Sequence, residues 1–314
     1  MSEKPAKKYF YSECFNSIQG EGLYTGVHTL WLRFYLCNLQ CDGFGQDHPT
    51  KPDTWELPYQ DFDPKSVNRV EDLPVWKKGC DSSYTWSKKF RHLMGHKNAQ
   101  ELLDTILEYS KTESNPEGGF KHPVSGQVAH LCYTGGEPLM KHAQQATMEI
   151  NECLRNRMDK PSCITYETNG TQELTDDFFK YITNNGCWNI PVFFSVSPKL
   201  WSVAGEKRAK AIKPEVIKQY DLAANLIQRY GSSRPVGQLK FVMGPHKEQW
   251  EEMEEVLAMI RNEGVDWPVY IMPVGATVED QEEGAGAVAK IAYERGYNVS
   301  GRLHCYLFGN AIGT

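Results

Sequence analysis

Cys37 and Cys41 stand four residues apart in CNLQC, directly after the apolar run TLWLRFYL at 29–36. A turn between them can bring both thiolates to one metal centre, as iron–sulfur ligand loops do. A thiolate pair alone leaves the metal open. Structural zinc wants four closed ligands, and any single cysteine can be no more than a small buried apolar residue. TGGEP at 134–138 offers two glycines that let another group approach closely, followed by a carboxylate suited to an ammonium. ETNGT at 167–171, SPK at 197–199 and PVG at 273–275 complete a set of polar, turn-rich motifs.

Each motif sits at the end of a strand-like run. These runs are 29–36, 127–133, 162–167, 192–197, 237–243 and 268–273, rich in β-branched, aromatic and apolar residues. Helical stretches near 98–111, 140–158, 174–185, 214–230, 247–263 and 280–295 are long enough to be crossovers between parallel strands. The alternation predicts an α/β fold, an open or closed (β/α) barrel-like sheet. In such sheets the loops at the carboxyl ends converge on one mouth, so the motifs would share one rim. The run 9–18 adds a strand at the sheet edge, and 301–308 follows the final helix. Lys240, inside an apolar strand, should point into the polar mouth, since an unpaired buried charge is costly.

Bulk properties narrow the function. A chain of 314 residues with 40% apolar and 24% charged content should fold around a sizeable core, as a single domain over 1–314. A net charge of -6 and scattered lysine pairs give no reason to track nucleic acid directly. No run approaches the ~18 apolar residues of a membrane span, and MSEKPAKKYF lacks the apolar core of a signal peptide, so a cytoplasmic protein is expected. Nine cysteines argue for thiols and metal ligation over disulfides. Cys14, Cys153, Cys163 and Cys187 are expected to be buried apolar residues, and Cys132 and Cys305 structural. His92 and His96, four apart, lack the carboxylate of a zinc motif and read as surface residues. Trp250, Met253 and Leu257 form a helix core face. Residues 42–79 break the rhythm with five prolines among Trp55, Tyr59, Phe62 and Trp76, which predicts an insertion packed on the body. Its aromatics would serve a homodimer contact or an active-site lid.

FNSIQGEG at 15–22, Arg33, CNLQC at 37–41 and CDSSYTW at 80–86, together with TGGEP, ETNGT and SPK, resemble the 7-carboxy-7-deazaguanine synthase family of radical S-adenosylmethionine (SAM) enzymes. The resemblance spans nearly the whole chain and implies a partial (β/α)6-type radical SAM barrel with the inserted region at about 42–79. The family's usual pattern is a compact CxxxCxxC followed by Asp-Thr. Here Phe44 occupies the compact third position, and Cys-Asp-Ser reappears at 80–82, so the resemblance carries the third ligand to Cys80. It implies a [4Fe-4S] cluster on Cys37, Cys41 and Cys80 whose fourth iron stays open to SAM. The resulting 5′-deoxyadenosyl radical would abstract a substrate hydrogen.

The same resemblance distributes the remaining roles. Gly136, Glu137, Ser197, Pro198 and Lys199 would hold SAM, Glu137 through its amine, with Glu167 and Asn169 on the nucleoside. As isolated features, SPK could be an ordinary turn with a solvated lysine, and Glu167 and Asn169 could cap the next helix. Ile18, Gln19, Gly20, Arg33 and Thr134 would hold the substrate. Gln19 provides a donor and an acceptor for a pterin edge, and Arg33 a bidentate clamp for a carboxylate. Outside that context they would be a β-turn and a surface ion pair. Ser82 matches the family's magnesium-ligating threonine, with a hydroxyl suited to Mg2+. HCYLFGNAIGT at 304–314 would close over the substrate. The implied activity is a lyase converting 6-carboxy-5,6,7,8-tetrahydropterin to 7-carboxy-7-deazaguanine with loss of ammonia, in 7-deazaguanine (queuosine-type) biosynthesis, fed by an electron donor such as a flavodoxin. Two alternatives stand: a glycyl-radical activase, which should lack IQGEG, and a non-enzymatic zinc-binding module built on the three cysteines and a histidine.

Overall fold

The computed structural model describes residues 6–184, 190–227 and 235–314. Its sheet has nine strands in the order β3-β1-β2-β4-β5-β6-β7-β8-β9. In chain order these are β1 (Lys8–Ile18), β2 (His28–Phe34), β3 (Gly95–Asn98), β4 (His130–Gly135), β5 (Ile164–Thr168), β6 (Val192–Val196), β7 (Gly237–Met243), β8 (Val269–Pro273) and β9 (Asn298–Val299). From β2 through β4 to β9 every neighbouring pair is parallel, while β1 runs antiparallel to both β2 and β3. β3 and β9 are the two edges, so the sheet curves without closing.

The helices are α1 (Pro58–Asp61), α2 (Ala99–Tyr109), α3 (Lys141–Cys153), α4 (Asp176–Thr183), α5 (Trp201–Ala204), α6 (Arg208–Ala211), α7 (Pro214–Ile227), α8 (Lys247–Asn262), α9 (Val278–Glu294) and α10 (Leu303–Phe308). Asn98 caps α2 in a reciprocal capping box with Glu101, and Thr277 with Asp280 does the same for α9. The main core joins buried strand residues such as Leu32, Tyr133, Tyr166, Phe194 and Phe241 to one face of each long helix, for example Trp250, Met253 and Leu257 of α8.

The structure departs from the sequence expectations in places. β1 is not the edge, because β3 pairs with its outer side. Two short edge strands, β3 and β9, were not anticipated, since four and two residues are too few to show a period. The 301–308 run is helical over Leu303–Phe308. The helix expected at 140–158 ends at Cys153. Cys187, residue 185 of the fourth expected helix and 228–230 of the fifth lie outside the described residues. Cys14, Cys132, Cys163 and Cys305 are buried, whereas Cys153 is half-buried.

The insertion carries one short helix and several single turns, and builds a satellite core of Tyr59, Val67, Val70, Leu73 and Trp76 with Tyr84 and Phe90. Phe62 and Trp76 meet edge to face, centroids 5.4 Å apart. Tyr59 and Trp76 are therefore turned into the insertion's own core, away from any surface contact. Among the described residues no helix is long and apolar enough to cross a membrane.

Candidate active site

A cavity of about 300 Å³ opens at the carboxyl ends of the parallel strands, a volume at the lower end for small-molecule sites. Arg33 ends β2, Thr134 and Gly135 end β4, Glu167 and Thr168 end β5, Ser197 follows β6, and all face it. Lys240 of β7 and Met272 and Pro273 of β8 complete the rim. Across the rim, Val75, Lys77 and Gly79 of the insertion, and Asn310–Thr314, supply further wall. The 310–314 segment is held by Asn310 Nδ2, which donates to the Ala276 carbonyl at 2.8 Å, and by Ile312, which packs on the insertion's core.

Cys37, Cys41 and Cys80 all line this cavity, and among the described residues no other cysteine does. Burial pushes the Cys37 thiol up to about 12, with Glu137 and Cys80 adding to the effect. Burial likewise raises Cys80 to about 11, and lifts Cys41 well above its ordinary value, with both other cysteines opposing its charge. The three thiols thus sit in one electrostatic neighbourhood. Lys199 favours ionisation of each of them. It donates to Ser197 Oγ at 2.9 Å and lies over the Phe44 ring at 5.4 Å.

The loop that carries the first two thiols is tightly fixed. Glu206 accepts from the backbone N–H groups of Gln40 at 2.6 Å and Cys41 at 2.9 Å. Leu36 at φ 86° and Cys41 at φ 57° hold left-handed backbone, which costs non-glycine residues of the order of 1–3 kcal/mol and is typical of functional loops. A Cβ on Gly136 would stand 2.2 Å from the Leu36 carbonyl oxygen, so the glycine is needed for the cysteine loop to pass over β4. The group that approaches this glycine closely is thus the chain's own backbone.

Most of the motif residues meet at the cavity. Ile18, Gln19, Gly20, Arg33, Ser82, Thr134, Gly136, Glu167, Asn169, Ser197 and Lys199 all line it. Two expected SAM contacts do not. Pro198 is absent from the lining, its role being to turn the chain between Ser197 and Lys199. Glu137 is fully buried and also off the lining, and its oxygens accept from Leu139 N at 3.0 Å, Thr168 Oγ1 at 2.7 Å and Asn169 N at 2.8 Å. It fastens the β4 turn to the β5 turn, and its lone pairs have no line to a ligand amine. Burial raises this carboxyl to about 7.

The substrate-side residues are already interlocked. Gln19 donates through Nε2 to Glu167 Oε1 at 2.9 Å and accepts from the Glu21 N–H at 3.1 Å, so both ends of its amide are engaged. Lys240 Nζ reaches the cavity as expected but is not unpaired: it bridges Glu167 at 3.0 Å and Glu21. Arg302 continues the chain to Glu21 at 3.1 Å and Asp81 at 3.0 Å. Burial alone would raise the Glu21 carboxyl, but Lys240 and Arg302 overcome it and hold Glu21 well below the usual range. Arg33 Nε donates to Glu13 at 2.6 Å beneath the cavity. Ser82 Oγ donates to Asp81 at 2.8 Å, leaving hydroxyl and carboxylate oxygens side by side.

Glu21, Asp81, Trp86, Glu206, Arg302 and His304 escaped the sequence reading as site residues. Glu21 lay inside IQGEG, Asp81 and Trp86 inside CDSSYTW, and His304 opens HCYLFGNAIGT, so only Glu206 and Arg302 lacked any motif signal. His304 presses on Gly20 so closely that a Cβ there would fall 1.8 Å from Nδ1. Burial lowers its imidazole to about 4, keeping it neutral at pH 7.

The donor set fits the expected groups. Three thiols with a nearby cation, and among the described residues no fourth cysteine on the cavity, suit a cluster with one open iron. Among the described residues no group of three His, Cys, Asp or Glu side chains, the three thiols included, is gathered closely enough to hold a single metal ion.

No protein-family model matches the chain. It is 24% identical to the 7-carboxy-7-deazaguanine synthase of Rhodopirellula baltica, covering 96% of this chain and 88% of that one. It is 24% identical to the 7-carboxy-7-deazaguanine synthase of Pyrobaculum aerophilum, over 96% and 95% of the two chains. The crystal structure of QueE from Escherichia coli superposes with a TM-score of 0.52 at 18% identity, covering 95% of each chain. Over nearly its whole length, then, the chain resembles 7-carboxy-7-deazaguanine synthases, and its unclosed α/β sheet is the QueE fold.

Proposed function

We propose that this protein is a radical SAM lyase that converts 6-carboxy-5,6,7,8-tetrahydropterin to 7-carboxy-7-deazaguanine, the product named in both relatives. The observation that carries the reading is the meeting of Cys37, Cys41 and Cys80, from either side of a long insertion, at one cavity with Gln19, Arg33 and Thr134. In this reading residues 1–314 act as one radical SAM domain and the insertion brings the third thiol into place.

Cys37, Cys41 and Cys80 would hold the [4Fe-4S] cluster. Gly136, Ser197, Lys199, Glu167 and Asn169 would hold SAM, with Glu137 and Pro198 shaping the turns that present them. When bound, cluster and SAM together supply a one-electron initiator that removes a substrate hydrogen. The chain's own residues bind, orient and exclude water. Arg33, its Nε fixed on Glu13, turns the rest of its guanidinium to a substrate carboxylate. Gln19 would exchange its bond to Glu167 for the pterin edge, with Ile18, Gly20 and Thr134 against the ring. Lys240 bridges Glu21 and Glu167 beside that ring, and Arg302 joins Lys240 on Glu21. Ser82 is the hard oxygen donor for Mg2+, with Asp81 beside it. A flavodoxin-type reductant, on the strength of the family resemblance, a homodimer and a cytoplasmic setting complete the reading.

Anaerobic reconstitution tests it. The protein should take up about four irons per chain, and produce 5′-deoxyadenosine from SAM only when reduced. A colourless protein that retains zinc would contradict the proposal.

A further inference from the structure

Arg33 is held in a way that leaves most of its donors unused. Its Nε donates to Glu13 Oε1 at 2.6 Å, and among the described residues neither Nη group makes a hydrogen bond. The guanidinium also lies over the Phe15 ring, 5.7 Å from the centroid. A carboxylate beside an arginine commonly grips it through both oxygens, in a fork of two parallel bonds. Glu13 does not. Its second oxygen, Oε2, is buried and has no hydrogen-bond partner, although a buried carboxylate oxygen is costly to leave without a donor.

The cause lies on the other side of Glu13. Tyr84 donates its hydroxyl to the same Oε1 at 2.8 Å, so one oxygen serves both donors while the other stays idle. Tyr84 belongs to CDSSYTW, in the single 3-10 turn Ser83–Thr85 that follows Cys80. That turn is fixed at both ends: the Ser83 N–H donates to the Cys80 carbonyl at 3.1 Å, and the Thr85 carbonyl accepts from the Leu36 N–H at 2.7 Å. The Tyr84 ring packs in the insertion's core with Tyr59, Trp76 and Phe90. Arg33 and Tyr84 both line the cavity, while Glu13 is off the lining and buried.

We propose that Tyr84 is a positioning residue: by holding Glu13 on one oxygen, its hydroxyl keeps the Arg33 fork open for the substrate carboxylate. The inference rests on the reading above, in which Arg33 clamps that carboxylate. Without the Tyr84 hydroxyl, Glu13 turns its idle Oε2 to an Arg33 Nη and closes the two-bond fork, so that it competes with the substrate for the same donors. The third-cysteine turn and the insertion that packs it thereby set the affinity of a clamp on β2.

The test is anaerobic titration calorimetry of the reconstituted, unreduced protein with SAM. The two probes are 6-carboxy-5,6,7,8-tetrahydropterin and 5,6,7,8-tetrahydropterin, which lacks the carboxylate. Wild type should prefer the carboxylated pterin. Tyr84→Phe keeps the ring and removes the hydroxyl; it should bind the carboxylated pterin about tenfold more weakly, the worth of one charge-assisted hydrogen bond, with an unchanged Kd for tetrahydropterin. Selectivity equal to wild type overturns the proposal, and so does equal weakening of both pterins, which is what a general loss of packing would give. Should Tyr84→Phe fail to load iron, Glu13→Gln decides. An amide has one acceptor oxygen and cannot fork a guanidinium, so this variant should match or exceed the wild-type preference; a tenfold loss overturns the proposal. A wild type that does not distinguish the two pterins would refute the assignment of Arg33 to the substrate carboxylate, and the proposal with it. A selective wild type with an equally selective Tyr84→Phe refutes the proposal alone, so the two failures are distinguishable.

Discussion

Replacing Glu206 with alanine should loosen the loop that carries Cys37 and Cys41. Its carboxylate Oε1 accepts from the backbone of Gln40 and Cys41 at 2.6 and 2.9 Å, and the Cys41 bond is buried. A hydrogen bond to a charged group contributes about 1.5–3 kcal/mol, and a buried donor left without one costs about 1–3 kcal/mol. Gln40 is exposed, so water replaces the carboxylate there and only a fraction of its bond is lost. The sum is about 2–4 kcal/mol, enough to release the left-handed backbone at Cys41 that the anchor stabilises. Glu206→Gln retains an acceptor oxygen without the charge and should fall between the two. Urea unfolding of the apo protein and iron content after reconstitution are the readouts. Glu206→Ala should lose stability by that amount and bind iron sub-stoichiometrically. Wild-type stability together with full iron loading would refute the anchoring argument.

Three other outcomes follow from the site. Cys80→Ala should abolish cluster assembly, whereas Cys132→Ala, buried in β4 and off the cavity, should leave iron content unchanged; absorption and iron assays separate the two. Lys240→Met leaves Glu21 and Glu167 without their shared cation and should cost about 3–5 kcal/mol in chemical unfolding, since removing one partner strands buried charge. His304 has a folded pKa of about 4, below the unfolded value, so the unfolded chain binds the extra proton as pH falls from about 6.5 toward 4. Its contribution is therefore intact at neutral pH and is lost on acidification, with a slope approaching about 1.4 kcal/mol per pH unit. His304→Asn should flatten that part of the stability profile.

The parallel strands were legible because each is a buried run of apolar and aromatic residues, as in VFFSV and GQLKFVM, bounded by turn motifs. β3 and β9 were not, because GHKN and NV have no apolar face and are strands only by pairing with β1 and β8. In the site, Thr134, Asn169 and Lys199, which sit in turn-rich motifs, line the cavity, and so does Arg33 from within β2. Glu137 was misjudged for a physical reason. A carboxylate following two glycines looks available to a ligand, but it sits where two strand-end turns meet, and backbone N–H groups claim both its oxygens. Arg302 and Glu206 were invisible because their partners, Asp81 and Cys41, lie more than a hundred residues away in sequence. The insertion's aromatics declared that it packs, but not that they would face inward and leave Val75, Lys77 and Gly79 on the cavity wall.

The central claim is tested most directly by mass spectrometry of the products formed when reduced, reconstituted enzyme meets SAM and 6-carboxy-5,6,7,8-tetrahydropterin without oxygen. The account predicts 7-carboxy-7-deazaguanine together with 5′-deoxyadenosine, both lost in Cys80→Ala. 5′-Deoxyadenosine without a deazaguanine, from an enzyme with a full cluster, would contradict the assigned substrate.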